Sequence, residues 1–240
     1  MLNLLRELVR KLGFDIVRYP PLHSHSGRMR RIICFHKINT ILDVGANEGQ
    51  FGISMRELAY DGRIVSFEPL SSAYKRLEEI AGRDPNWLVA PRMALGRTSG
   101  KISINVAENL ESSSILPMSA LHTDAAPASS YTGTEIVPLE TLDEASHSFL
   151  EPASVIYLKI DTQGFEAEVL AGATNVLSRA EVVQLEMSLA DLYQGQPSYM
   201  ELNQFMISNG FVIAELVPGF SDPRTGHLLQ ADGIFVKRNV

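Results

Sequence analysis

Cysteine is nearly absent: Cys34 is the only one in 240 residues. A single thiol forms no intrachain disulfide and no cysteine-based zinc site, and such scarcity is the pattern of a reducing compartment, so a cytoplasmic location is expected. Positive charge is also short, with 21 Lys and Arg against 28 Asp and Glu and a net charge of -7. Affinity for a nucleic-acid backbone rests on basic residues clustered over one face, so nucleic-acid partners are not expected. Long apolar runs are missing, and no stretch approaches the length that spans a bilayer. The opening "MLNLLRELVRKLGF" carries Leu4, Leu5, Leu8 and Leu12 at helical spacing, but Arg6, Glu7, Arg10 and Lys11 interrupt any apolar signal-peptide core. A helix packed on the main domain with its charged side in water is expected there. A basic amphipathic helix can also lie on a membrane, and "GRMRR" (Gly27 to Arg31) adds charge nearby, so peripheral membrane contact stays open.

What the chain does have is enough apolar matter for a core, 45% of its residues. Residues 1–37 read as an N-terminal helical appendage and 38–240 as one domain. After Ile38, short apolar runs alternate with amphipathic helical patterns, the signature of βαβ units and a parallel sheet. Strands are expected over Thr40 to Val44, Arg63 to Phe67, Trp87 to Ala90, Val155 to Ile160, Val182 to Glu186, Phe211 to Leu216 and Gly233 to Val236. Helices fall between them. "SSAYKRLEEIAG" stripes Ala73, Leu77, Ile80 and Ala81. "SYMELNQFMISNG" opens with a Ser198/Glu201 capping box and stripes Tyr199, Leu202, Phe205 and Met206; "GFEAEVLAGATNVL" aligns Phe165, Val169, Ala173 and Val176. "KISINV" alternates like a half-exposed strand. Glu108 to Gly133, rich in Ser, Ala and Pro, reads as a long loop of the kind that forms lids.

"TILDVGANEGQFG" (Thr40 to Gly52) is a strand running into a glycine loop and then a helix, which brings backbone N–H groups close to a nucleotide-like ligand. The dinucleotide fingerprint would need glycines at 45, 47 and 50, but Asn47 and Gln50 stand there and Gly49 is displaced. No Gly-Lys-Ser/Thr follows, which excludes a Walker A loop. Asp43 at the strand end would repel a pyrophosphate and suits a ligand with an ammonium or sulfonium group, and S-adenosylmethionine carries both. Glu68 ends the next strand, where an acid accepts ribose hydroxyls.

"ILDVGANEGQFG", "VSFEP", "MALG" and "LKIDTQGFEAEVLAGA" followed by "VVQLEMS" together resemble the FkbM family of S-adenosylmethionine-dependent methyltransferases, from about Ile38 to the C-terminus. The resemblance implies an α/β, Rossmann-like class I methyltransferase fold: a mostly parallel seven-stranded sheet, its last strand antiparallel, with helices on both faces. It also implies O-methylation of a saccharide in an exopolysaccharide, glycolipid or glycosylated natural product. Carried onto this chain, the family's motifs put the methionine part of the cofactor at Asp43, Gly45 and Asn47, the ribose at Glu68, and the adenine at Pro69 and Met93-Ala94. Ala46, Gly49 and Phe51 complete the cofactor set. Gln163 stands where the family often has glutamate.

A sugar hydroxyl keeps its proton at neutral pH, so methyl transfer to it calls for a general base or an acidifying metal. Asp161 ends "VIYLKID" and Glu186 ends "VVQLE"; on neighbouring strands both face the crevice, as base and orienting partner or as Mg2+ ligands. Alternatively, Asp161 or Thr162 caps the next helix, and Glu186 neutralises Lys159 in its apolar strand. His122 and His227 are further candidate bases, and Ser112 to Ser114 candidate contacts to a glycan. Two other functions share the architecture: a nicotinamide-dependent sugar oxidoreductase, and a catalytically silent cofactor-binding subunit of a glycan-assembly complex.

Overall fold

The computed structural model describes residues 6–7, 9–13 and 23–238. Leu4, Leu5 and Leu8 of the N-terminal stripe lie outside them, and Leu12 is 72% exposed. The strands in chain order are β1 (Thr40–Val44), β2 (Arg63–Phe67), β3 (Trp87–Val89), β4 (Ala94–Leu95), β5 (Gly100–Ala107), β6 (Tyr131–Glu140), β7 (Ile156–Ile160), β8 (Ala180–Ser188), β9 (Phe211–Pro218) and β10 (Gln230–Lys237). Seven form one sheet in the order β3-β2-β1-β7-β8-β10-β9; β4, β6 and β5 form a smaller one. In the large sheet only β10 runs against its neighbours, pairing antiparallel with both β8 and β9. The expected Rossmann-like sheet with a reversed last strand is therefore present.

Strands β1 and β7 are buried at every position, as strands covered on both faces must be. On one face Ile41, Ile64, Tyr157, Val182 and Ile234 pack against Met29, Met55 and Leu77 of the helices His25–Phe35, Gln50–Glu57 and Ser71–Ala81. On the other, Leu42, Val65, Leu158, Val183 and Phe235 meet Val169, Val176, Leu202 and Met206. Each such side chain stabilises the fold by roughly 1.5–3 kcal/mol when fully buried, so the two faces hold the strands in register. Chain direction across the sheet reverses between β1, which leads to β2 and β3, and β7, which leads to β8. A crevice opens at the strands' carboxyl ends at such a switch point.

Three local expectations are corrected. Glu108 to Gly133 is not one long loop: Ser119 caps a short helix, Ala120–Ala125, and β6 begins at Tyr131. Pro138 argues against a strand there, but β4 pairs with β6 only at Leu139 and Glu140, so at Pro138 the ladder is one-sided and needs no second donor. "GFEAEVLAGATNVL" forms two helices, Glu166–Ala171 and Thr174–Arg179. The break is at Gly172, where a Cβ would lie 2.0 Å from the Gly96 carbonyl oxygen. The Ser198/Glu201 capping box is present, but its helix (Tyr199–Ser208) buries only Leu202 and Met206 of the expected stripe; Tyr199 and Phe205 are 42% and 38% exposed.

Candidate functional site

The loop after β1 is shaped by close approach. Gly45 adopts φ 72°, and a Cβ there would fall 1.8 Å from the Asp161 carbonyl oxygen, so β1 and β7 can meet at their ends only through glycine. Its N–H and that of Ala46 bond the Phe67 carbonyl at 3.0 and 3.1 Å. Asn47, at φ 49°, donates its N–H to Glu68 Oε2 at 2.8 Å, and Leu70 N–H reaches Glu68 Oε1 at 2.8 Å. Glu68 is thus fixed at the end of β2 with a lone pair left on each oxygen. Burial pushes its carboxyl up to about 7, and the two backbone donors only partly offset that.

A cavity of about 490 Å³ opens over these residues. Gly45, Ala46, Asn47, Phe51, Glu68, Pro69, Met93 and Ala94 all line it, so most of the cofactor set inferred from sequence shares one wall. Gly49 sits behind, beginning the helix Gln50–Glu57. Asp43 is fully buried and does not reach the cavity. It lies instead in a buried chain: Trp87 Nε1 donates to Ser66 Oγ at 3.0 Å, Ser66 Oγ to Asp43 Oδ2 at 3.3 Å, and Lys159 Nζ stands 3.4 Å from Asp43 Oδ1. That last contact is an ion pair without hydrogen-bond geometry, since Oδ1 has no donor. Burial raises the Asp43 pKa despite Lys159.

Lys159 faces Asp43 across the β1–β7 pairing. Its ammonium also contacts Asp161 Oδ2 at 3.3 Å and the Gly45 carbonyl at 3.2 Å. Burial opposes the charge, but Asp161 and Asp43 outweigh it and hold the Lys159 pKa above its ordinary value. At about 4 Å each such attraction is worth roughly 4 kcal/mol at an effective dielectric of 20, comparable to the several kcal/mol lost on desolvating an ion. Lys159 therefore serves its two aspartates, and the alternative in which Glu186 neutralises it is corrected.

Glu186 is held by amides: Gln163 Nε2 at 2.6 Å and Gln230 Nε2 at 2.9 Å, both to Oε2. Gln163 Nε2 also donates to Asp161 Oδ1 at 2.9 Å. Burial, reinforced by Asp161, drives the Glu186 pKa well above its ordinary value. Asp161 does not cap a helix either. The helix Glu166–Ala171 has no side-chain cap; Glu166 instead ties down the loop before it, its Oε1 accepting from Thr162 N–H at 2.9 Å and Gly164 N–H at 3.1 Å. The Asp161 side chain, 32% exposed, is free to meet a ligand. The Gln163 NH2 group occupies the seat between the two carboxylates that an Mg2+ ion would need, so this pair does not fit the metal. Among the described residues no group of three or more His, Cys, Asp or Glu is arranged to hold one.

His122 is buried beside Tyr193 and Phe220 and lines the cavity with Nδ1 unpaired; burial lowers its pKa to about 4. His227 lies exposed in the turn between β9 and β10 and does not line the cavity. Ser112, Ser113 and Ser114 do line it, although each oxygen is engaged within the protein, Ser114 Oγ donating to the Gln163 carbonyl at 2.6 Å. Sequence reasoning missed Gln184, Gln230 and Asp232, which complete the wall over β8 and β10, and Tyr193, which orients Gln163. A signal existed: in "VVQLE" and "LLQADG" polar residues stand two apart in otherwise apolar strands, on one face.

A mostly parallel seven-stranded sheet with its last strand reversed, and a crevice at the β1/β7 switch point, make up the Rossmann-like fold of class I methyltransferases. The family described as the methyltransferase FkbM domain matches residues 43–213, and the chain belongs to it. It is 28% identical over 149 residues to the hexuronic acid methyltransferase AglP of Haloferax volcanii, covering 62% of this chain and 56% of that protein. It is 26% identical over 163 residues to the 2-O-methyltransferase NoeI of Sinorhizobium fredii, covering 65% and 66%. The chain thus spans between half and two thirds of these curated relatives. Among solved structures, magnesium protoporphyrin IX methyltransferase from Synechocystis PCC 6803 overlays on 98% of this chain and 96% of its own at 11% identity and TM-score 0.45. That overlay is loose, and the fold assignment rests on the strand order. Among the described residues no helix is long and apolar enough to cross a membrane.

Proposed function

We propose that this chain transfers a methyl group from S-adenosylmethionine to a hydroxyl of a saccharide, with Asp161 as general base. Support comes from the family, from relatives named for a hexuronic acid and for 2-O-methylation, and from the site's chemistry. The cofactor fits the wall over β1 and β2: Glu68, buried with a free lone pair on each oxygen, would take the ribose hydroxyls, and Asn47 Oδ1, buried without a partner, has an accepting oxygen to offer. Pro69, Met93 and Ala94 would flank the base, and Gly45 keeps the loop close. Bound there, S-adenosylmethionine supplies a methyl group already activated on a sulfonium.

The protein's own task is then to align the acceptor and remove one proton. Asp161 follows β7, lines the cavity and keeps its orientation because Lys159 holds one oxygen and Gln163 the other. As the acceptor oxygen attacks, its hydrogen passes to Asp161. Glu186, whose pKa burial and the nearby Asp161 raise, is the orienting neighbour rather than a second base. What carries this reading is that Glu68 and the Asp161–Gln163 pair line one cavity at the strand reversal. Purified protein incubated with methyl-labelled S-adenosylmethionine and a saccharide panel should place label on sugar oxygen, and S-adenosylhomocysteine but not NAD should raise its melting temperature. Label on no acceptor, or a shift with NAD alone, would refute it.

A further inference from the structure

We infer that the acceptor end of the cavity takes a saccharide ring bearing no anionic group and rejects the uronate of the same ring. The inference rests on the saccharide reading above and names its substrate class.

The strand order divides the cavity. The cofactor wall lies over β1 and β2, which leaves the acceptor the wall over β7, β8 and β10, with Asp161, Gln184, Glu186, Gln230 and Asp232. β10 runs against β8, so the start of one strand and the end of the other lie together, and Asp232 pairs directly with Glu186. Gln184 Nε2 donates to Asp232 Oδ2 at 3.0 Å and Gln230 Nε2 to Glu186 Oε2 at 2.9 Å. Each amide uses one hydrogen in that bond and keeps a second to offer. Phe220 adds an aromatic face. Behind it His122, only 3% exposed, leaves Nδ1 without a partner at the cavity wall. Carboxylates accepting from hydroxyls, amides donating to them and one ring face form the donor and acceptor set of an uncharged polyol.

Charge completes the argument. Five carboxylates line the cavity, Glu68, Glu111, Asp161, Glu186 and Asp232, and the only lysine or arginine among the described lining residues is Lys159. Its ammonium is committed to Asp43, Asp161 and the Gly45 carbonyl. Arg224, at the β9–β10 turn, chelates Asp222 and does not line the cavity. The carboxylate of a uronate would bring a like charge and acceptors only, and no uncommitted lysine or arginine stands among the described lining residues to receive it. Burial, with Asp161 adding to it, pushes Asp232 up to about 6.

The test uses methyl glycosides of glucose, galactose and mannose, each as the hexose, the uronamide and the uronate, with labelled S-adenosylmethionine and the intact chain. The uronamide keeps the planar shape and removes the charge. In whichever configuration is methylated, the hexose and the uronamide should both turn over, and the uronate should fall below them in kcat/KM by about tenfold or more. A uronate methylated as well as its uronamide, or better, would overturn the inference. Label on no saccharide would sink the parent reading and this inference with it, which distinguishes the two failures.

Discussion

Tyr193 donates its phenolic hydrogen to Gln163 Oε1 at 2.7 Å. That bond decides which way the Gln163 amide faces, and so turns its NH2 group toward Asp161 and Glu186. Tyr193→Phe keeps the buried ring against His122 and removes only the hydroxyl. A net hydrogen bond is worth about 0.5–1.5 kcal/mol, so kcat should fall severalfold while calorimetric affinity for S-adenosylhomocysteine stays level. An equal loss in both would mean that Tyr193 supports the fold generally and not the orientation of Asp161.

Asp161→Asn keeps the shape of the side chain and removes the base. Positioned proton transfer contributes about 10²–10⁴-fold, and turnover should drop by that order with cofactor affinity nearly unchanged. Wild-type turnover would take Asp161 out of the chemistry.

Gly45→Ala forces a Cβ into the Asp161 carbonyl, 1.8 Å away, at a backbone φ of 72°. The strained conformation alone costs about 1–3 kcal/mol, and relieving the clash must part the ends of β1 and β7. A lower melting temperature together with weakened S-adenosylhomocysteine binding is expected. Intact binding at reduced stability would separate the loop's packing from cofactor recognition.

Burial pushes Glu68 and Glu166 each up to about 7 and Asp232 to about 6. The folded state therefore holds protons that the unfolded state has released above about pH 4.5. Their stabilisation is complete below the unfolded values and is lost as pH rises through 6 to 7. His122 acts with the opposite sign: lowered to about 4, it costs stability as pH falls below about 6.5, when the unfolded imidazole gains a proton the folded one refuses. With three carboxylates set against one histidine, the apo protein should melt at a lower temperature at pH 8 than at pH 5.5. Glu166→Gln keeps the accepting oxygen for Thr162 and Gly164 and should flatten that slope. An unchanged slope would show that Glu166 does not titrate in this range.

The sheet was largely legible because its strands are short aliphatic runs between glycine and polar turns, and β1 and β2 fall on the expected residues. The Ser198/Glu201 cap was legible for a local reason, since both partners lie within one turn. The site was legible where motifs mark the ends of strands, as at Gly45 to Glu68 and at Asp161 and Glu186, which both line the cavity. The pairing of Lys159 with Asp43 depends on the β1–β7 register, and the meeting of Asp232 with Glu186 on an antiparallel pairing between residues far apart in the chain. No local pattern encodes either. Asp43 illustrates the consequence: the sequence suggests a carboxylate facing a ligand, while the register buries it behind Lys159.

The central claim is that one cavity holds the nucleoside on Glu68 and turns its sulfur toward Asp161. A crystal structure of the chain soaked with S-adenosylhomocysteine tests it most directly. The ribose hydroxyls should lie within hydrogen-bond reach of Glu68, with the sulfur facing the Asp161 side of the cavity and the wall of Gln184, Gln230 and Asp232 open beyond it. A nucleoside bound elsewhere, or one whose sulfur points away from Asp161, would contradict the claim.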